Sequence, residues 1–198
     1  MEVGDCRLAS GNLQSPISNN PKMKNGDAFN AFLEETAVFL RDYTVLDYYR
    51  EPLGEGTDER MGEIVARYGA ATAVQRERFL ATLEKSSLSL FGIYGHRAAT
   101  LAVRQQSRDL LLRGLVAMGI ANYVVPPKRN VETAVAIFHH CARKLGISPV
   151  ELFDEAAQVA PPHMTTFFEE FGRRPDITLS RYGWQELRTP EGVRYKWG

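Results

Sequence analysis

Cysteine is scarce in this chain, its charge is balanced, and it has no long apolar run. The two cysteines, Cys6 in a polar N-terminal stretch and Cys141 in a helical one, form no disulfide framework. A reducing, cytoplasmic setting is therefore expected. Lys plus Arg equals Asp plus Glu, giving a formal net charge of zero, so bulk electrostatics supply no reason for a polyanionic partner and nucleic acid is not the expected one. The most apolar uncharged stretch, Gly114 to Pro127, has 14 residues and ends in two prolines. A bilayer span needs roughly 20, so no membrane partner is expected. The N-terminus has no basic stretch leading into an apolar one, and no secretory leader is expected. Met23 is an alternative start.

Catalytic signatures are missing as well. There is no Gly-x-Gly-x-x-Gly, no phosphate-binding Gly-x4-Gly-Lys, no His-Glu-x-x-His and no Gly-x-Ser-x-Gly. The balance leans away from an enzyme, and neither a cofactor nor a metal is expected. The adjacent His139-His140-Cys141 cannot chelate from one helix, because neighbouring helical residues point about 100° apart and chelation needs spacings of three or four. These three residues are expected at the boundary of the core or in solvent.

What is present reads as helix. With 44% hydrophobic and 24% charged residues, the chain can bury a core. Residues 1–26, rich in Ser, Asn, Gly and Pro, are expected to be a mobile tail, and 27–198 a single helical domain. From an Asp27 cap, Phe29, Phe32, Leu33, Thr36, Leu40 and Tyr43 share one helical face. Met61, Ile64, Val65 and Tyr68 form the next stripe. Thr72 and Gln75 spell a capping box. The segments Leu88 to Arg104 and Arg108 to Ala121 are apolar nearly all round, the mark of buried helices. The first of them carries a bulk-free stripe of Gly92, Gly95, Ala99 and Ala102. Asn130 is read as the cap of the following helix. Met164, Phe167, Phe168 and Phe171 line the last helix, with Gly172 at its C-terminus. The chain then changes period. Thr189-Pro190-Glu191-Gly192 is a turn signature. A three-residue loop there pairs Thr189 with Val193, Leu187 with Tyr195 and Gln185 with Trp197. The fold class is thus mainly α, a multi-helix bundle or stacked helix pairs of about six to eight helices, with a short C-terminal β-hairpin at 183–197.

One corner is specified almost residue by residue. In Ala142-Arg143-Lys144-Leu145-Gly146-Ile147-Ser148-Pro149-Val150-Glu151-Leu152, Gly146 ends one helix, Ser148 caps the next, Pro149 fits its first position and Glu151 completes the capping box. Ile147 and Leu152 stand where a hydrophobic staple closes. Together such caps are worth about 1–3 kcal/mol. The stretch resembles the turn of helix-turn-helix DNA readers, through Ala142, Gly146, Ile147 and Leu152. The resemblance implies a nucleic-acid module over 142–152. The second helix, however, carries Glu151, Asp154 and Glu155 and no Lys or Arg, and carboxylates facing phosphates are repulsive.

The charges are segregated. From Arg97 to Arg129 there are six bases against one acid, Asp109, and from Asp27 to Glu63 ten acids against three bases. Internal pairing of these two segments is the simplest outcome. An anion or acidic-partner site at His96, Arg97, Arg104 and Arg108 is the alternative, with Ser107 capping the helix that Arg108 begins. The aromatic end of the chain, Tyr182, Trp184, Tyr195 and Trp197, suits either a cover for the helices or an adhesive surface formed by Trp184, Tyr195 and Trp197. The leading expectation is a non-enzymatic protein-interaction module with an unidentified protein partner. A helical binder or enzyme acting on a small anion or molecule near His96, Arg97 and Arg104 comes second.

Overall fold

The computed structural model describes residues 21–44, 55–124 and 129–198. Residues 1–20, most of the expected tail, lie outside the described residues, as does the Pro126-Pro127 connection. Among the described residues there are eight α-helices followed by one hairpin: α1 Pro21–Arg41, α2 Glu55–Ala70, α3 Ala73–Thr82, α4 Lys85–Gln105, α5 Arg108–Ala121, α6 Arg129–Lys144, α7 Pro149–Val159 and α8 Pro162–Arg173, then a 3₁₀ turn at Ser180–Tyr182, β1 Trp184–Thr189 and β2 Gly192–Trp197. The fold is mainly α with a short C-terminal hairpin. None of the described helices is long and apolar enough to cross a membrane.

Two starts differ from the sequence expectation. Helix α1 begins at Pro21 and runs through Gly26 and Asp27, so Asp27 is not its cap and 21–26 are helix rather than tail. Proline is tolerated there because the N–H it lacks would have no partner in the first turn. Helix α6 likewise includes Asn130 from its first turn.

The buried side chains form one contiguous cluster from Phe32 to Leu179. Helices α4 and α5 lie at its centre, and glycine lets them cross closely. A methyl on Gly95 would sit 2.8 Å from the Gly114 carbonyl oxygen, and one on Gly114 would sit 2.9 Å from that of Gly95. Gly172 plays the same part between α7 and α8, since a methyl there would lie 2.7 Å from Phe153 Cβ. It is the last residue but one of α8, so it lies in the C-terminal turn as its type suggests and also permits this close packing.

The corner between α6 and α7 forms as a Schellman turn. Gly146 adopts φ +68°, the Ile147 amide donates to the Ala142 carbonyl and the Gly146 amide to that of Arg143. Ser148 Oγ accepts from the Glu151 amide at 3.5 Å. At α3 both halves of the Thr72–Gln75 capping box are present.

The hairpin register is displaced by one residue from expectation. Thr189 pairs with Gly192, Glu186 with Tyr195 and Trp184 with Trp197, so the loop is Pro190-Glu191 alone. Because strand side chains alternate, the slip reverses β1. Trp184 and Glu186 face the helices, while Leu187 points outward at 39% exposure. Gly192 takes φ +131°, and Thr189 Oγ1 donates to its carbonyl at 3.0 Å.

Candidate functional site

The polar side of α4 and the hairpin enclose a cleft of about 680 Å³. Helix α4 contributes Ile93, His96, Arg97, Thr100, Leu101 and Arg104, α2 contributes Asp58, and the hairpin contributes Trp184, Glu191, Val193, Arg194 and Tyr195. The α4 residues recur at i, i+3, i+4, i+7, i+8 and i+11, one face of a helix. The hairpin is held over that face by polar anchors on α6. Glu186 accepts from His140 Nε2 at 2.6 Å and pairs with Lys144 Nζ at 2.5 Å. Burial alone would raise its carboxyl, but the hydrogen bonds from Lys144 and His140 outweigh it and hold the group down at about 2. Beside this pair, Cys141 Sγ and Tyr195 Oη are hydrogen-bonded at 3.1 Å.

The cleft brings together five of the seven residues nominated from the sequence: His96, Arg97, Arg104, Trp184 and Tyr195. Arg97 pairs with Asp58 at 3.0 Å, so at this point the acidic and basic segments do meet. Arg104 is exposed and pairs with no carboxylate among the described residues. Its guanidinium lies 3.9 Å from where a Gly192 side chain would begin, which places it against the hairpin turn. The His96 ring is 5.9 Å from that of Trp184, and burial lowers its pKa, so it is neutral near pH 7. Trp184 Nε1 is buried with no partner.

The other two nominated residues lie apart from the cleft wall. Arg108 bonds Glu155 of α7 at 2.6 Å, and this pair uses one of the acids of the helix-turn-helix-like segment. Arg173 pairs with another, Asp154. Trp197 stands edge-on to Trp184 at 5.4 Å and is 55% exposed.

The His-His-Cys run corrects an expectation. His139 is 1% exposed and Cys141 fully buried. Helix α6 is covered on two sides, by α8 and by the hairpin, so its core face is wider than the apolar stripe implies. His139 Nε2–H donates to the Phe171 carbonyl at 2.8 Å, and its ring lies 4.8 Å from Phe153. Among the described residues no cluster of three His, Cys, Asp or Glu side chains has the arrangement to hold a metal.

Sequence reasoning missed Asp58, Glu191 and Arg194 as neighbours of this cleft. With the correct loop length, Trp184 opposite Trp197 was the available signal, since it turns the Trp184 face of β1 toward α4. No protein-family model matches the chain, and no curated protein or solved structure matches it significantly.

Proposed function

We propose that the protein is a non-enzymatic binding protein whose site is the cleft between α4 and the hairpin, and that its ligand is a small molecule bearing an anionic group. The supporting observation is the convergence of Arg104, Arg97, His96 and Trp184 on one concavity. At about 680 Å³, the cleft falls in the range of roughly 300–1,000 Å³ typical of small-molecule sites, and it combines apolar walls with a few directed polar groups as such sites do. Native mass spectrometry of the purified full chain tests the reading. A small-molecule adduct retained by the wild type and lost in Arg104→Ala supports it, and an adduct unaffected by that change counts against it.

A second reading, the protein-interaction module, draws on the exposed Trp197 and Leu187 at the hairpin. A Trp197→Ala change that abolishes a stable partner complex, while leaving the adduct in place, would favour it. Nucleic-acid binding gains nothing from the corner, where Asp154 and Glu155 already engage Arg173 and Arg108.

A further inference from the structure

The cleft's charge pattern restricts what it can hold. Three cationic side chains line it, Arg97, Arg104 and Arg194, together with two carboxylates, Asp58 and Glu191. Asp58 engages Arg97 at 3.0 Å and Glu191 stands 3.9 Å from Arg194. The cleft therefore carries a single excess positive charge, and a polyphosphate would meet two carboxylates at close range, which offset much of the attraction that the arginines offer it. Arg104, on the exposed edge of α4 beside Gly192, is the cation left over. A guanidinium offers a planar fork that matches a carboxylate with two parallel hydrogen bonds. The walls around it are apolar or aromatic: Ile93, Leu101 and Val193, with the Trp184 and neutral His96 rings tilted 35° to each other at 5.9 Å. Such walls suit a flat apolar body that gains contact area and ring stacking.

Resting on the reading of the cleft as a binding site, we propose that it takes an aromatic monocarboxylate, with the carboxylate on Arg104 and the ring system against Trp184. Arg194, two-thirds exposed at the rim, supplies a secondary contact. Asp58 and Glu191 act as the discriminating groups, turning away ligands of higher negative charge.

Isothermal titration calorimetry of the full chain, at low salt, tests this with three probes: 2-naphthoate, the neutral 2-naphthylmethanol and ATP. The expected result is one saturable site for 2-naphthoate, at least tenfold weaker binding of the alcohol, and no measurable heat with ATP. Arg104→Ala should weaken 2-naphthoate at least tenfold, while Arg78→Ala, an exposed arginine on α3, should leave it unchanged. Trp184→Phe, which keeps an aromatic ring, should weaken it less than Trp184→Ala. Equal affinity for acid and alcohol, tighter binding of ATP, no heat from 2-naphthoate, or an Arg104→Ala chain indistinguishable from Arg78→Ala would each overturn the ligand class. The reading of the cleft as a site survives those results and falls only if the native mass spectrum fails as well.

Discussion

Gly95 and Gly114 face each other across the crossing of α4 and α5, so close that a methyl on either would come within 3 Å of the other's carbonyl oxygen. This contact fixes how far α4 stands from α5, and so where the outer face of α4 presents His96, Arg97 and Arg104. A Gly95→Ala change should destabilise the fold by about 1–3 kcal/mol through overpacking against backbone that cannot yield. Gly69 is the internal control. It lies near the end of α2, and a methyl there would meet nothing within 4 Å, so Gly69→Ala should be neutral or stabilise by about 0.4–1 kcal/mol by restricting the unfolded chain. Chemical denaturation of the two variants checks the contrast.

Glu186 ties the hairpin to α6, and its carboxyl is held at about 2 against an ordinary 4.5. A depressed carboxyl stabilises the fold fully above its unfolded pKa and loses that contribution as pH falls through the folded one. The window is therefore pH 4.5 down to about 2, and the amount is on the order of 1–3 kcal/mol, because solvent screens a carboxyl that is only partly covered. Glu186→Gln should lower stability at pH 7 by about 1–3 kcal/mol, leaving Lys144 and His140 without their acceptor. It should also flatten the acid limb of the stability curve in that window.

His139 contributes in a separate window. Burial lowers its imidazole from 6.5 to about 4, partly offset by the bond to the Phe171 carbonyl. The unfolded chain takes up this proton first, so stability is complete above pH 6.5 and falls between pH 6.5 and 4, by about 3 kcal/mol in all. The imidazole signals of His139 in an NMR titration should remain those of the neutral ring at pH 5, with Nε2 protonated. A midpoint above 6 would contradict the assignment.

Cys141 is buried, and burial pushes its thiol up to about 11, with the hydrogen bond from Tyr195 only partly countering it. The reactive thiolate is therefore scarce as well as shielded. In a Cys6→Ser chain at pH 8, reaction with a disulfide reagent should be at least a hundredfold slower in the folded state than in denaturant. Rapid labelling without denaturant would show that the hairpin leaves α6 readily.

Local chemistry carried most of the architecture. The α6–α7 corner is legible because Gly146, Ser148 and Pro149 each suit only one position in a helix stop and start. The small-residue stripe on α4 announced a close helix crossing, though not that Gly114 would be its partner. The hairpin was legible as a hairpin, but not in register. In β1, Trp184 and Glu186 alternate with Gln185 and Leu187, so neither face is clearly the apolar one and the loop length alone decides. That single residue changes which face of β1 Trp184 and Glu186 share with Tyr195, and it hid the anchor to His140 and Lys144. The burial of His139 and Cys141 escaped notice for a related reason. A helix covered on two sides by later parts of the chain has a core face that its own periodicity does not display.

The charge split was legible too, but its resolution was not. Composition alone could not say that Arg97 would find Asp58, that Arg108 would find Glu155, and that Arg104 would instead rest beside Gly192. Long-range placement decided these outcomes, and among the described residues it left Arg104 in the cleft with no carboxylate partner.

The chain has two tryptophans, so its amide spectrum carries two indole N–H signals, and that of Trp184 reports from the wall of the cleft. Titration of the ¹⁵N-labelled full chain with 2-naphthoate tests the site most directly. The Trp184 indole signal and the backbone amides of Arg104 and Gly192 should move together and saturably, and in Arg104→Ala the Trp184 and Gly192 signals should need at least tenfold more ligand to move as far. No movement would contradict the aromatic monocarboxylate as the ligand class, and movement confined to the separate groove lined by Val65, Gly69 and Leu112 would contradict the placement of that ligand in the α4–hairpin cleft.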